Sequence, residues 1–182
     1  MQIIETRLQG LLVIKPDVYP DSRGYLFESY NQRTFEKAGI SFLPVQDNES
    51  RSCKGVIRGL HYQMNPHAQA KLIRVVTGRI LDVAVDIRKE SPTYGEWFAV
   101  ELDAEAKEQV LIPKGFAHGF SVLSDSAIIQ YKCDDFYNPK HERGILLTDP
   151  DLGICWKVET SARLISEKDL RQPCLKDAEN DF

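Results

Sequence analysis

Short strand-like runs separated by turns, with no long helix among them, limit what this chain can fold into. Runs rich in Val, Ile, Phe and Tyr recur along the sequence, a pattern typical of an antiparallel sandwich or closed barrel. Ten strands exceed what a single open sheet comfortably holds, so a barrel is predicted. The candidate strands are 11–14, 24–30, 45–48, 56–63, 72–76, 78–88, 97–102, 110–112, 119–123 and 127–133.

The run from Gly78 to Arg88 has the clearest alternation of apolar and polar side chains. Successive residues of a strand point to opposite faces, so the two sets separate cleanly. We expect a core face and a wetter face in this strand. The core face holds Leu81, Val83, Val85 and Ile87, and the wetter face holds Asp82, Ala84 and Asp86.

Two short helices are predicted from capping residues. Asn31 can cap a helix that runs to Lys37 and stops at Gly39, and Ser166 can cap residues 167–170. The last eight residues, 175–182, are mostly polar, and we expect them to fray. No internal repeat or low-complexity linker interrupts the chain.

Length and composition indicate one globular domain over residues 1–182. The chain has 182 residues, 42% of them apolar, and a formal charge of −4. A net negative charge provides no general electrostatic attraction to nucleic acid or to an anionic membrane, so no partner of either kind is expected. The sequence has no signal peptide or apolar span, and we expect a cytoplasmic protein. The four scattered cysteines are interpreted as free thiols.

Two motifs carry histidines that could do chemistry. In residues 57–63, alternation places Ile57, Gly59, His61 and Gln63 on one face, so that His61 could face an open cavity. A structural histidine is the competing interpretation. The second motif, residues 112–120, is a turn rich in Pro and Gly that delivers His118 to a strand.

The second motif resembles one of the two conserved motifs of cupins, which are antiparallel β-barrels. In that superfamily the histidine of this second motif holds a metal together with a glutamate and a His-x-His pair in the first motif. Here the first motif places Gln63 where the second histidine would stand. Two histidines alone make a poor metal site. We therefore expect a cupin-like barrel with a few short helices, no metal and no cofactor.

A closer resemblance extends over nearly the whole chain, from about residue 14 to residue 173. In order and spacing, ten short runs resemble the dTDP-4-dehydrorhamnose 3,5-epimerase family. Each run alone is weak evidence, but together they are specific. The runs are DSRG at 21–24, FESY at 27–30, VQDN at 45–48, RGLH at 58–61, QAKLIR at 69–74, DVAVDIR at 82–88, SPTYG at 91–95, YKC at 131–133, FYNP at 136–139 and SEKD at 166–169.

The resemblance implies four catalytic residues for inverting carbons beside a ketone, which needs a base, a group that holds the enolate charge and an acid. His61 corresponds to the base and Asp169 to the residue that orients it. Lys71 corresponds to the residue beside the keto oxygen, and Tyr131 to the acid on the opposite face of the sugar. Surface and packing roles for Lys71 and Tyr131 are the alternatives.

The resemblance also implies contacts to the nucleotide half of a dTDP-linked 4-keto-6-deoxyhexose, and a homodimer. Guanidinium and ammonium groups suit a diphosphate, and an aromatic ring can stack on thymine. Tyr137 corresponds to the stacking residue. The diphosphate contacts are Arg23, Arg58 and Lys168, and the further substrate contacts are Glu28, Gln46, Asn48, His118 and Glu142.

Three other functions remain open on sequence alone. A relative of the same fold could invert only one carbon, a cupin could use a metal, and a binding module could recognise sugar nucleotides without turnover. Asp82 and Asp86 are interpreted as structural ion pairs with nearby arginines rather than as a catalytic carboxylate pair. His67 and His141 receive no role.

Overall fold

The computed structural model describes all 182 residues and contains thirteen strands and two α-helices. The strands are β1 Gln2–Glu5, β2 Leu12–Lys15, β3 Val18–Asp21, β4 Gly24–Phe27, β5 Gln46–Cys53, β6 Ile57–Gln63, β7 Lys71–Thr77, β8 Arg79–Asp86, β9 Trp97–Asp103, β10 Gln109–Ile112, β11 Phe116–Val122, β12 Ser126–Cys133 and β13 Glu142–Gly144. The helices are α1 Gln32–Lys37 and α2 Glu167–Leu170, and two short 3₁₀ helices at Thr160–Ala162 and Leu175–Asp177 complete the regular structure.

Two antiparallel sheets form the barrel. One has six strands in the order β1-β2-β10-β7-β12-β5, and the other has five in the order β13-β6-β11-β8-β9. The hairpin of β3 and β4 stands outside both sheets. All strand pairs are antiparallel. The predicted fold class, an all-β cupin-like barrel with a few short helices, is confirmed.

The largest apolar cluster fills the space between the two sheets. Ile73 and Ile129 reach inward from the six-stranded sheet, and Ile80 and Phe120 meet them from the five-stranded sheet. Fifteen buried residues belong to this cluster, and removing their apolar surface from water stabilises the closed form of the barrel. The interior of the barrel is thus filled by side chains, and the cleft described below lies beside this packed cluster.

Each sheet also has a covered outer face. The chain after β13 folds back over the five-stranded sheet, where Trp156 belongs to one buried apolar cluster with Val83 and Leu60. Helix α1 covers part of the six-stranded sheet, with Phe35 beside Leu72. The outer cluster on the five-stranded sheet includes Ile165, so it holds the chain segment that leads into α2.

The two predicted helices are confirmed together with their caps. The side chain of Asn31 accepts hydrogen bonds from the backbone N–H groups of Arg33 and Thr34, and that of Ser166 accepts one from Asp169. These bonds satisfy donors that the first turn of a helix leaves free. Neither helix has the length or the apolar composition needed to cross a lipid bilayer.

The expectation of a wetter face on β8 is wrong. Asp82 and Asp86 are 1% and 0% exposed, because β8 lies inside its sheet and its second face points into the barrel. Asp86 forms an ion pair with Arg88, as predicted, with 2.7 Å between Oδ2 and Nη2. Asp82 instead contacts His118, so its predicted arginine partner is also wrong.

The alternation expected for residues 57–63 is broken by a β-bulge. Arg58 pairs with Phe120 and His61 with His118, so three steps along β6 match two along β11. As a result the buried Ile57 packs in the outer core and only borders the cavity, whereas Arg58 and His61 lie outside that core and line the cavity. The prediction that Ile57 and His61 share a face is therefore wrong.

The strands β1, β3 and β13 are absent from those predicted from the sequence. These three strands are three or four residues long and lack the alternation that identifies a strand. Residues 175–182, expected to fray, lie against the body of the protein. Lys89 N–H donates to the Phe182 carbonyl at 3.1 Å, and the Phe182 ring packs on the outer core because it is apolar.

Candidate active site

A cleft of about 680 Å³ opens between the two sheets, and most of the predicted site residues line it. Strands β6, β7, β11 and β12 supply its walls, and the segment that leads into α2 closes one side. The predicted residues in this cleft are Arg58, His61, Lys71, His118, Tyr131, Lys168 and Asp169. Side chains that are far apart in sequence thus converge on one cavity, as in most ligand sites.

His61 and Asp169 form a hydrogen-bonded pair, with 2.7 Å between Nε2 and Oδ1. Asp169 is buried within α2, and Ser166 fixes that helix as its N-cap. Burial by itself raises the pKa of the Asp169 carboxyl, but the hydrogen bond and charge of His61, together with hydrogen bonds from Ser166 and the Gly59 backbone, outweigh it, and the pKa is lowered. The carboxylate therefore stays charged and holds Nε2–H, which leaves Nδ1 of the imidazole free to accept a proton.

Lys71 and Tyr131 come from neighbouring strands of the opposite sheet. Strand β7 begins at Lys71, and it pairs with β12, which carries Tyr131. Burial lowers the pKa of Lys71, because the ammonium group has lost water, and nearby acidic groups only partly offset this. Burial raises the pKa of Tyr131, so its phenol stays protonated at neutral pH.

A second histidine–aspartate pair lies deeper in the cleft. His118 Nε2 is 2.8 Å from Asp82 Oδ2, and the two side chains are 11% and 1% exposed. Asp82 projects from β8 toward β11, its neighbour in the sheet. This buried carboxylate fixes the orientation of the His118 ring, so that the imidazole presents a defined edge to a ligand.

A smaller cavity of about 110 Å³ adjoins the cleft, and both are lined by His61, Lys71 and Tyr131. Here Glu142 is the centre of a polar group. Its Oε2 accepts from the Tyr137 hydroxyl at 2.9 Å and from Lys168 Nζ at 2.5 Å. The other predicted residues in this cavity are Gln46, Asn48 and Tyr137.

Those contacts set the charges around Glu142. Burial raises the pKa of its carboxyl, but the bonds from Lys168 and Tyr137 prevail and lower it. The same bond from Glu142 raises the pKa of the Tyr137 phenol. Tyr137 itself is 52% exposed, so its ring is open to a planar partner.

Arg23 and Glu28 are the two predicted residues that the structure does not bring to the cleft. Arg23 lies in the hairpin of β3 and β4, where its side chain is 88% exposed and bonds to Asp21. Glu28 lines a different cavity, beside Tyr19 and Phe35. Within one chain neither residue lines the cavity that contains His61.

Sequence reasoning missed Arg163, which also lines the cleft. Its Nε donates to the Val158 carbonyl at 3.1 Å, and its two terminal nitrogens make no bond within the chain. The parallel bridge between Val56 and Leu164 brings this segment to the barrel. No local pattern in the sequence reports such a long-range bridge, so spacing alone could not have found Arg163.

Histidines and cysteines outside the cleft add no metal centre. No group of three or more His, Cys, Asp or Glu side chains is arranged to hold a metal ion. His67 and His141 stack edge to face, 4.8 Å between ring centroids, and the four cysteines are unpaired.

The arrangement of the cleft suits proton transfer next to a carbonyl group. An imidazole held by a carboxylate can take a proton, an ammonium group can stabilise an oxyanion, and a protonated phenol can return a proton. His61 stands on the five-stranded sheet and Tyr131 on the six-stranded sheet. A base and an acid on opposite walls are what an inversion of configuration requires.

Comparison with known proteins agrees with this geometry. The sequence model of the dTDP-4-dehydrorhamnose 3,5-epimerase family matches residues 5–177. The chain is 51% identical to a dTDP-4-dehydrorhamnose 3,5-epimerase of Shigella flexneri, over 98% of each chain. It superposes with a TM-score of 0.93 on the crystal structure of such an enzyme from Elizabethkingia anophelis, 47% identical over 97% of each chain.

A further solved structure contains a ligand. The dTDP-6-deoxy-D-glucose-3,5-epimerase of Legionella pneumophila, crystallised in complex with dTDP-4-keto-L-rhamnose, has a TM-score of 0.92 at 47% identity. The match covers 97% of this chain and 93% of that one. Matches of this extent, together with the cleft, place the protein: the chain belongs to the dTDP-4-dehydrorhamnose 3,5-epimerase family, and it is an isomerase.

Proposed function

We propose that the chain converts dTDP-4-dehydro-6-deoxy-D-glucose to dTDP-4-dehydro-L-rhamnose by inverting carbons 3 and 5. Both carbons flank the ketone at carbon 4, so their protons are acidic enough for a positioned base to remove. The observation that carries the proposal is the cleft in which His61, Lys71 and Tyr131 meet, with the first on the opposite sheet from the other two.

Each inversion runs in two proton transfers. His61 Nδ1 takes the proton from the carbon beside the ketone, and Asp169 stabilises the imidazolium that forms. The electron pair of the broken C–H bond moves onto the keto oxygen, where Lys71 balances its charge. Tyr131 then donates its hydroxyl proton to the opposite face of the carbon, and solvent later restores both residues. The second carbon repeats the sequence.

The nucleotide half would lie toward the smaller cavity. Arg58 offers paired guanidinium donors to the diphosphate, and Lys168 offers a flexible ammonium group. The half-exposed ring of Tyr137 can stack on thymine. The remaining polar contacts are Gln46, Asn48, His118 and Glu142. Arg58 is already fixed by a bond from its Nε to Ser52 Oγ at 3.1 Å, which leaves its two terminal nitrogens for a ligand.

A homodimer accounts for the two residues that lie outside the cleft. The β3–β4 hairpin exposes large apolar side chains: Tyr19 is 62%, Tyr25 57% and Leu26 72% exposed. Such side chains in one hairpin suit burial against a second chain. In that dimer the hairpin would carry Arg23 and Glu28 to the partner's cleft. We also propose that residues 1–182 act as one domain and that the protein works in the cytoplasm.

The test is NMR of the purified protein with dTDP-4-dehydro-6-deoxy-D-glucose in deuterated water, coupled to a reductase that accepts only the doubly inverted product. Deuterium at both carbons with reductase turnover is expected. Deuterium at a single carbon would replace the proposal with a single-site epimerase, and none would indicate a binding module.

The His61→Ala variant tests the assignment of the base. We expect it to fold, to bind dTDP as the wild type does and to lose at least about 100-fold in rate, since general bases contribute about 10²–10⁴-fold. A folded variant that keeps near-wild-type epimerisation would show that another group is the base.

A further inference from the structure

The segment that connects β12 to β13 carries the exposed ring of Tyr137 across the mouth of the barrel. It leaves the six-stranded sheet at Cys133 and joins the five-stranded sheet at Glu142. Phe136 and Tyr137 are 64% and 52% exposed, so apolar burial does little to hold this segment. Its order must come from polar contacts.

Glutamine side chains supply those contacts. Gln46 Oε1 accepts from the Tyr137 backbone N–H at 2.8 Å, and Gln69 Nε2 donates to the Asp135 carbonyl at 2.7 Å. Gln63 makes the most bonds, and it is 4% exposed. Gln46 comes from β5 of the six-stranded sheet, Gln63 from β6 of the five-stranded sheet and Gln69 from the loop between β6 and β7, so the segment is anchored on both sides.

Gln63 uses nearly all its hydrogen-bonding capacity on backbone atoms. Its Oε1 accepts from the Asn138 N–H at 2.6 Å, and its Nε2 donates to the carbonyls of Phe136 at 3.2 Å and His67 at 2.7 Å. One orientation of the amide satisfies all three bonds, with the oxygen toward the N–H and the nitrogen toward the carbonyls. Gln63 thus holds the residues on both sides of Tyr137.

Strand pairing connects this amide to the rest of the site. Gln63 is the last residue of β6 and lies opposite Glu142 in the first pair of β6 with β13. Glu142 in turn bonds to the hydroxyl of Tyr137. The end of β6 therefore sets two positions: that of the Tyr137 backbone, through Gln63, and that of the Tyr137 hydroxyl, through Glu142.

We propose that Gln63 is a positioning residue for nucleotide binding: its buried amide fixes residues 136–138 so that Tyr137 is held ready for the base. The inference rests on the proposed function, in which Tyr137 stacks on thymine. Position 63 would then serve substrate recognition in this chain, through a side chain that resembles neither an acid, a base nor a metal ligand.

The experiment measures dTDP binding by calorimetry for the wild type and for Gln63→Met, which keeps the side chain's length and removes all three bonds. We expect the Kd for dTDP to rise at least tenfold. Turnover at saturating substrate should change less than threefold, because the substitution leaves the proton-transfer groups His61, Lys71 and Tyr131 in place. Ser121→Ala is the matched control, since it removes an equally buried side-chain bond to a carbonyl, that of Trp156 at 2.6 Å.

Hydrogen exchange of the ligand-free protein provides a readout that does not depend on the function. The backbone N–H groups of Tyr137 and Asn138 should exchange at least tenfold faster in Gln63→Met than in the wild type, and at the wild-type rate in Ser121→Ala. If Gln63→Met does not fold, Gln63→Glu serves instead. It keeps an acceptor for the Asn138 N–H but loses both donors, so we expect the rise in Kd and faster exchange at Tyr137, with Asn138 less affected.

The outcomes separate the inference from the function on which it rests. A wild-type protein that does not bind dTDP would contradict the proposed function. A folded Gln63 variant that binds dTDP within twofold of a binding wild type, or whose residues 137 and 138 exchange no faster, would overturn the positioning role alone.

Discussion

At the scale of single residues, Lys71 shows a conflict between stability and function. Its ammonium group is charged in a place that has lost water, which is why its pKa is lowered. Below that lowered pKa the folded protein bears the full cost of a desolvated charge, whereas the unfolded chain does not. The same desolvation strengthens the attraction between the ammonium group and an oxyanion.

Replacing Lys71 should therefore separate the two properties. We expect Lys71→Met to be as stable as the wild type or more stable at pH 7, and to lose about 10²–10³-fold in kcat. Thermal unfolding and steady-state kinetics measure the two effects. A variant that unfolds at lower temperature and keeps its activity would contradict both the burial cost and the proposed role.

The pH profile gives a second view of Lys71. Activity should fall on the alkaline side as pH rises through the lowered pKa of Lys71, below the usual range for a lysine, because the neutral amine no longer balances the oxyanion. A second loss of activity, caused by ionisation of Tyr131, is expected at higher pH because the pKa of Tyr131 is raised. Lys71→Arg should move the first limb upward in a pH profile of kcat/KM, and a limb that stays in place would assign it to another group.

At the scale of elements, the bulge in β6 depends on Gly59. The residue has φ of +122°, and a Cβ there would lie 2.5 Å from Gly119 Cα on β11. Backbone atoms cannot move aside without opening the β6–β11 pairing that sets His61 beside His118. The position therefore requires a residue without a side chain for two independent reasons.

We expect Gly59→Ala to lower the free energy of unfolding by about 3 kcal/mol or more, and to reduce activity in whatever protein folds. Gly39→Ala is the control, because Gly39 also has a positive φ, +76°, with nothing within 4 Å of its Cβ position. That variant should cost about 1 kcal/mol. Equal losses in urea denaturation would mean that the contact with Gly119 is unimportant.

The loop after β8 is held by a single buried carboxylate. Asp86 accepts from Arg88, from Ser91 Oγ at 2.6 Å and from Thr93 Oγ1 at 2.7 Å. Burial raises the pKa of Asp86, but these hydrogen bonds prevail and lower it to about 2. Because the folded pKa is below the unfolded one, Asp86 contributes stability that is complete above about pH 4 and is lost as pH falls toward 2.

We expect Asp86→Asn to lower the free energy of unfolding at pH 7 by about 1.5–3 kcal/mol. The difference from the wild type should shrink steadily as the pH of the denaturation experiment is lowered from 4 to 2. A difference that stays constant over this range would show that the charge of Asp86 is not what stabilises the loop.

Which elements were predictable follows from how local their signals are. The caps at Asn31 and Ser166 and the alternation of β8 are encoded within a few residues, and the sequence located those elements. The bulge at Gly59 and the burial of Asp82 depend on a neighbouring strand, so they were misjudged. The residues of the site were identified through the resemblance over the whole chain. The positions of Arg23, Glu28 and Arg163 depend on long-range packing, which no local pattern encodes.

At the scale of the whole molecule, the proposed dimer makes each cleft depend on two chains. Arg23 and Glu28 stand outside the cleft of their own chain, on a hairpin that exposes Tyr25 and Leu26. If they act on the partner's cleft, a defect in the hairpin and a defect in the base affect different sites of the same dimer. Mixing two inactive variants can then restore one complete site.

We expect Arg23→Ala and His61→Ala to regain activity when they are unfolded together and refolded as a mixture. In a mixed dimer, one cleft carries both defects and the other carries neither, so up to about a quarter of all clefts are intact. The assay is epimerisation before and after mixing, with each variant refolded alone as the control. No gain in a mixture that forms mixed dimers would show that Arg23 does not act on the partner's cleft.

The placement of His61 and Tyr131 on different sheets has a consequence for isotopes. On the proposed roles, the proton that leaves the sugar and the proton that arrives never share a carrier. The hydrogen removed by His61 then cannot return to the inverted carbon, because Tyr131 supplies a different proton. Every inverted carbon therefore takes its hydrogen from solvent. A one-base racemase, in which a single carrier serves both faces, would instead retain part of the substrate's own label.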